Sequence, residues 1–132
     1  MKVTVDTNVL VRAILQDDAK QAHVATKLLR EASLIAISLL CLCELVWVLR
    51  HGAKLTKKDV SAVIRFLLNT SNVAMDRPAA EAGLALLEAG GDFADGVMAY
   101  EGNWLSGNTF VSFDKQTVKL FAQQGQEAQL LT

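Results

Sequence analysis

The chain has 132 residues, a formal net charge of −1 and a pI near 6.1, with 52% apolar side chains and a mean hydropathy of +0.27. This length suits one domain, and the near-neutral charge excludes a protein that grips nucleic acid by bulk electrostatics alone. The longest charge-free apolar stretch, 34–43, falls well short of the roughly 20 residues a bilayer helix needs. The N-terminus lacks the basic-then-apolar form of a secretory leader. The apolar excess is therefore expected to fill a sheet buried on both faces and to contribute to a homodimer interface.

Met1–Val5 reads as a strand ending at Asp6, and Thr7–Leu15 as a short helix. Lys20–Ala32 is amphipathic, with Ala22, Ala25, Leu28 and Leu29 at helical spacing. Leu34–Ile37 is a short buried strand, and Ser38–Arg50 a helix on which Leu42, Leu45, Val46 and Leu49 recur. His51-Gly52 stops it. Thr56 and Asp59 form a capping pattern for a helix carrying Val60, Val63, Ile64, Leu67 and Leu68; Val60, Ile64 and Leu67 are candidate dimer contacts. Val73–Met75 is a third strand, and 77–88 and 92–105 are helices separated by Gly90-Gly91. Thr109–Ser112 is a strand, Lys115–Gln123 a helix, and Ala128–Leu131 an edge strand. Strands alternating with helices predict a parallel sheet, with ligands outside its carboxyl edge.

Several acids stand out against this pattern. Asp6 and Asp114 each follow a strand and precede a helix, so each suits either a metal ligand or an N-cap. Glu44 is the only charge between Ser38 and Leu49, and Glu is almost never buried unpaired; it should face the interior or a cleft. Asp92 and Asp95 have capping-box spacing, and Asp95 suits a metal as well. An oxygen-rich carboxylate set selects hard cations such as Mg²⁺ or Mn²⁺, which promote phosphodiester hydrolysis. His23 and His51 form no zinc pattern, and there is no phosphate-binding glycine loop or nucleophile elbow. Cys41 and Cys43, two apart on a helix, point to different faces and read as reduced thiols of a cytoplasmic protein.

The segments VDTNVLVRAIL, LLCLCELVWVLR, GGDFADGVMA and TFVSFDK, in this order and spacing, resemble the successive motifs of PIN-domain proteins of the VapC toxin type, from Met1 to about Gln123. The resemblance implies a three-layer α/β/α sandwich with a central parallel β-sheet, as a single domain over 1–132. It implies a Mg²⁺-dependent endoribonuclease, a homodimer, and a small antitoxin partner that blocks the site. Carried over by motif, Asp6, Glu44, Asp95 and Asp114 are the catalytic and metal-binding acids, with Thr7, Asn8 and Ser112 as flanking polar residues. Gly96, where the family usually has Ala, and Gly102 depart from the pattern and should loosen their helix, at roughly 1 kcal/mol each against Ala.

Arg50, His51, Lys54, Lys57 and Lys58 form the densest basic stretch. It suits either RNA phosphate contact or a solvated loop. Arg12 and Lys115 are further candidates for phosphate. Trp47 and Trp104 suit base stacking, but their apolar neighbours favour the core or a dimer interface. Two other readings fit parts of the chain. One is a non-catalytic RNA- or protein-binding module of the same fold. The other is an aspartate-nucleophile phosphatase, which would need an acid where Asn8 stands.

Overall fold

A computed structural model describes all residues, 1–132, which form two compact units, 1–76 and 77–132. The first unit runs β1 (Lys2–Thr4), α1 (Thr7–Leu15), α2 (Ala19–Glu31), β2 (Leu34–Ala36), α3 (Leu39–Trp47), a π-helical turn (Val48–Gly52), α4 (Lys57–Leu68) and β3 (Val73–Ala74). Its strands pair in parallel in the order β1-β2-β3, with Val3 opposite Ile35 and Ile35 opposite Val73. Each crossover is helical, as parallel neighbours require. The expected Leu34–Ile37 strand is one residue shorter as β2, yet the Ile37 N–H still donates to the Ala74 carbonyl at 2.9 Å. No helix is long and apolar enough to cross a membrane.

The helices of this unit begin where side-chain acceptors meet their orphan N–H groups. Asp6 accepts from the Val9 N–H, Asp18 from Gln21 and Ser38 from Cys41. Thr56 and Asp59 complete the reciprocal capping box read from their spacing. Leu42, Leu45, Leu49, Val60 and Ile64 are fully buried and Leu67 is 7% exposed. Val60, Ile64 and Leu67 are therefore core residues, not the dimer contacts expected of them. The helical periodicity locates a buried face, but it does not say whether that face meets its own chain or another.

The second unit runs α5 (Arg77–Glu88), α6 (Phe93–Trp104), β4 (Phe110–Ser112), α7 (Lys115–Gln123) and β5 (Ala128–Leu130), with β4 and β5 parallel and Phe110 opposite Ala128. Phe110 and Phe121 meet in a tilted ring contact with centroids 4.6 Å apart. Leu86, Leu120 and Phe121 form a buried cluster flanked by Ala99, Phe110 and Ala128.

The packing of α5 against α6 corrects the expectation about glycine. A Cβ at Gly96 would lie 2.6 Å from the Ala82 carbonyl oxygen and 2.8 Å from the Gly83 Cα. One at Gly83 would lie 2.8 Å from the Phe93 ring. Gly96 does not loosen α6; it lets the two helix backbones approach. Gly102 meets no such constraint, since its nearest neighbour would be the Gly107 oxygen at 3.6 Å.

Candidate active site

In the first unit, the carboxyl edge of the parallel sheet opens into a cavity of about 400 Å³ lined by Val5, Asp6, Thr7, Asn8, Ser38, Leu40, Cys41, Glu44 and Val48. Asp6 stands where β1 passes into α1, and Glu44 reaches in from the middle of α3. The Thr7 hydroxyl donates to Glu44 Oε2 at 3.1 Å and lies 3.8 Å from Cys41 Sγ. Asp6 Oδ1 accepts from the Val9 N–H at 3.2 Å. Asp6 thus serves as the N-cap while lining the cavity. Its second oxygen has lone pairs to spare, as does Glu44 Oε1. Glu44 is exposed and lines this cavity, so it does not face the interior. Its helix buries the Leu42, Leu45 and Leu49 side instead.

Cys41 is buried beneath this cavity and Cys43 is half-buried. Burial pushes the Cys41 thiol above its ordinary range; the Thr7 hydroxyl opposes this, and the charges of Glu44 and then Asp6 add to it. A thiol held protonated by burial and by two anions is a poor nucleophile. Cys41 therefore fills space under the acids.

The second unit carries Asp92, Asp95 and Asp114. Asp92 precedes α6 in extended backbone but makes no side-chain cap hydrogen bond, so the capping box expected of Asp92 and Asp95 does not form. Asp95 is half-buried in the first turn of α6. Its pKa is raised by burial, then by the negative charges of Asp92 and Asp114. Asp114 caps α7, accepting from the Thr117 N–H at 3.1 Å, and the Ser112 hydroxyl oxygen accepts from the Asp114 N–H at 3.0 Å. Ser112 therefore orients the Asp114 backbone.

The remaining predicted residues divide sharply. Arg12 pairs with Asp17 at 3.3 Å and donates to Gln21 Oε1 at 2.7 Å. Arg50 donates to the Leu55 carbonyl at 2.9 Å and so holds the loop after the π turn. Each guanidinium group spends part of its donor set within the fold. Lys54, Lys58 and Lys115 are exposed, and Lys57 is half-buried. His23 is exposed on α2, away from the residues lining the cavity. Trp47 and Trp104 are 63% and 76% exposed, so neither is the core residue their apolar neighbours suggested. Nothing in the sequence pattern marks Thr7 as the partner of Glu44 across 37 positions; only the approach of α1 to α3 brings them together.

Each acid has been placed within its own unit, and no group of three or more His, Cys, Asp or Glu side chains is close enough to hold a metal ion as it stands. The donor chemistry nevertheless suits a hard divalent cation: the exposed donors are carboxylate oxygens, the thiol of buried Cys41 is held toward its protonated form, and Asp95 carries an excess of negative charge. Neither the curated proteins nor the solved structures gave a match. The family model for the PIN domain matches residues 3–100, well over half of the chain and running through both units. With the parallel β1-β2-β3 sheet, that match bears out the PIN-like α/β/α fold class expected from the sequence. This protein belongs to the PIN-domain family, whose members are generally metal-dependent nucleases.

Proposed function

We propose that this protein is a Mg²⁺-dependent endoribonuclease, the toxin of a toxin–antitoxin pair, acting in the cytoplasm as a homodimer, with residues 1–132 working as one nuclease domain. The observation that carries the reading is the Thr7–Glu44 hydrogen bond at the mouth of the Asp6 cavity. It ties two acids that are 38 positions apart in sequence to one pocket at a sheet edge where α/β proteins bind ligands. Family membership supports the nuclease class.

The carboxylates assigned to the metal are Asp6 and Glu44 of the first unit and Asp95 and Asp114 of the second; Mn²⁺ suits the same donors. When bound, a divalent cation supplies charge neutralisation at the phosphate and lowers the cost of deprotonating water. The chain's own residues hold and orient. The Val9 N–H fixes one oxygen of Asp6, the Thr7 hydroxyl one oxygen of Glu44, and the Thr117 N–H one oxygen of Asp114. In each case the second oxygen is left for the cation. Ser112 keeps Asp114 at its post, and Asn8 offers the cavity an amide for a phosphate oxygen or the substrate sugar.

The nucleophile in this reading is water. A nuclease that uses the RNA 2′-hydroxyl needs a paired base and acid, and neither His23 nor His51 lines the cavity. The antitoxin is expected to bring a basic side chain to the acids, since a guanidinium fork matches a carboxylate, and to compete with metal. The products should carry 5′-phosphate and 3′-hydroxyl ends, and a 2′-deoxy substitution at the scissile nucleotide should leave the chemistry intact. A 2′,3′-cyclic phosphate product would overturn the mechanism. No cleavage of RNA by freshly purified protein in Mg²⁺ or Mn²⁺ would overturn the assignment.

A further inference from the structure

The helix that brings Glu44 to the cavity also carries exposed apolar side chains. Trp47 is 63% exposed while its neighbours Leu45, Val46 and Leu49 are buried. It follows Glu44 by three residues on α3, which places it one turn along the same helix face. Leu40, 71% exposed, stands one turn on the other side of Glu44. His51 sets its ring 5.2 Å from the Trp47 ring at an interplanar angle of 44°. The turn that carries His51 is π-helical, closed by the Ala53 N–H on the Val48 carbonyl at 3.0 Å. Arg50 pins the following loop through the Leu55 carbonyl. The two rings are thus held on a braced turn at the end of the helix that carries Glu44, and π-helical turns are frequent at functional sites.

The geometry points to Trp47, backed by His51, as a stacking platform for a base of single-stranded RNA, adjoining the nucleotide whose phosphate enters the Asp6–Glu44 cavity. The inference rests on the nuclease reading above and adds a substrate-binding residue to it. An indole face accepts any base and needs no hydrogen-bond code. The chain beyond Trp47 carries exposed Lys54 and Lys58, and no acid lies between Glu44 and Asp59. This segment suits a phosphate backbone leaving the acids. A second protein copy seated on Trp47 would cover Glu44, one turn away on the same face, and close the cavity to substrate.

The test uses the full chain with Trp104→Phe, so that Trp47 is the only indole, and Asp6→Asn to prevent cleavage. Short oligouridylate and oligoadenylate are titrated in Mg²⁺, with indole fluorescence and the anisotropy of a labelled strand read together. Binding should quench Trp47. Trp47→Ala should raise Kd about tenfold or more, within the range for loss of one stacked base. Trp47→Phe should restore most of the affinity, whereas Trp47→Leu, apolar but without a π face, should not. Binding that persists without quenching, or with unchanged Kd in Trp47→Ala, overturns the platform; the nuclease reading then stands on wild-type cleavage of RNA. If the wild type neither binds nor cleaves RNA, both fall. A Trp47→Leu variant that changes oligomeric state and leaves RNA binding untouched gives this face to a second copy and overturns the inference.

Discussion

The acids of residues 1–76 are held by hydrogen bonds, whereas Asp95, in residues 77–132, sits among like charges. Asp6 and Glu44 each have one oxygen engaged by a donor from α1, the Val9 N–H and the Thr7 hydroxyl. Asp95 is half-buried, and Asp92 and Asp114 act on it with the same sign. The first arrangement spends hydrogen bonds to fix direction. The second leaves repulsion in place, which a bound cation would relieve. Direction and charge excess are separate requirements for a hard-cation site, and the two arrangements differ in which of them they meet.

The largest effect should come from breaking the first arrangement at its acids. Asp6→Asn or Glu44→Gln is expected to lower the single-turnover rate of RNA cleavage by about 10²–10³-fold, on the scale of losing one strong electrostatic contact to the transition state. RNA binding should persist. Loss of binding in parallel with rate would mean that these acids shape the fold rather than the reaction.

A smaller loss should follow from removing only the orienting donor. Thr7→Val keeps the shape and deletes the hydroxyl, so Glu44 loses its partner. The expected loss is about 10–100-fold in activity or metal affinity, as for other groups that orient a ligand from behind. Thr7→Ser should recover most of it. Equal losses in the two variants, measured as metal titrations of the rate, would show that the methyl group rather than the hydroxyl matters.

In the second unit, Gly96→Ala sets helix propensity against packing. Propensity alone favours Ala by roughly 1 kcal/mol. The added methyl would meet the Ala82 oxygen and the Gly83 Cα at distances no real Cβ tolerates, and overpacking typically costs about 1–3 kcal/mol. Urea denaturation should show net destabilisation, with less metal-dependent protection against melting because Asp95 is the next residue. A more stable Gly96→Ala protein would mean that α5 and α6 separate easily.

The smallest effect concerns the pH dependence of stability without metal. The folded-state pKa of Asp95 is raised, chiefly by burial and then by Asp92 and Asp114. The folded protein therefore holds this proton more tightly than the unfolded chain does. The group's stabilising contribution is fully present below the ordinary Asp range and is lost as pH rises through the raised value. In chelator, Asp95→Asn should flatten that part of the stability profile and melt higher than wild type at neutral pH, while losing the stabilisation by Mg²⁺. A steeper profile in the variant would place the repulsion elsewhere.

The sequence by itself determined where most of the helices begin, because capping is local; α6 is an exception, since Asp92 makes no cap hydrogen bond. Asp6, Asp18, Ser38, Thr56 and Asp114 each reach an N–H three residues on, and such a contact is legible in a window of four residues. The parallel pairing of the strands was legible for another reason: strands alternating with helices favour parallel neighbours joined by helical crossovers. Of the candidate acids, Glu44 alone stood out as a charge where the pattern calls for none; Asp6, Asp95 and Asp114 also suited helix caps, and the set was carried over from the motifs of the family the chain resembles. Only the tertiary structure decided which side of a helix meets solvent. Trp47 and Glu44 lie among apolar residues in the sequence but on the open side of α3, while Val60 and Ile64 turn inward. It also decided that Thr7 answers Glu44 and that Gly96 is demanded by the Ala82 backbone. These are contacts between residues far apart in the chain, set by how closely two elements approach, and no local spacing rule contains that distance.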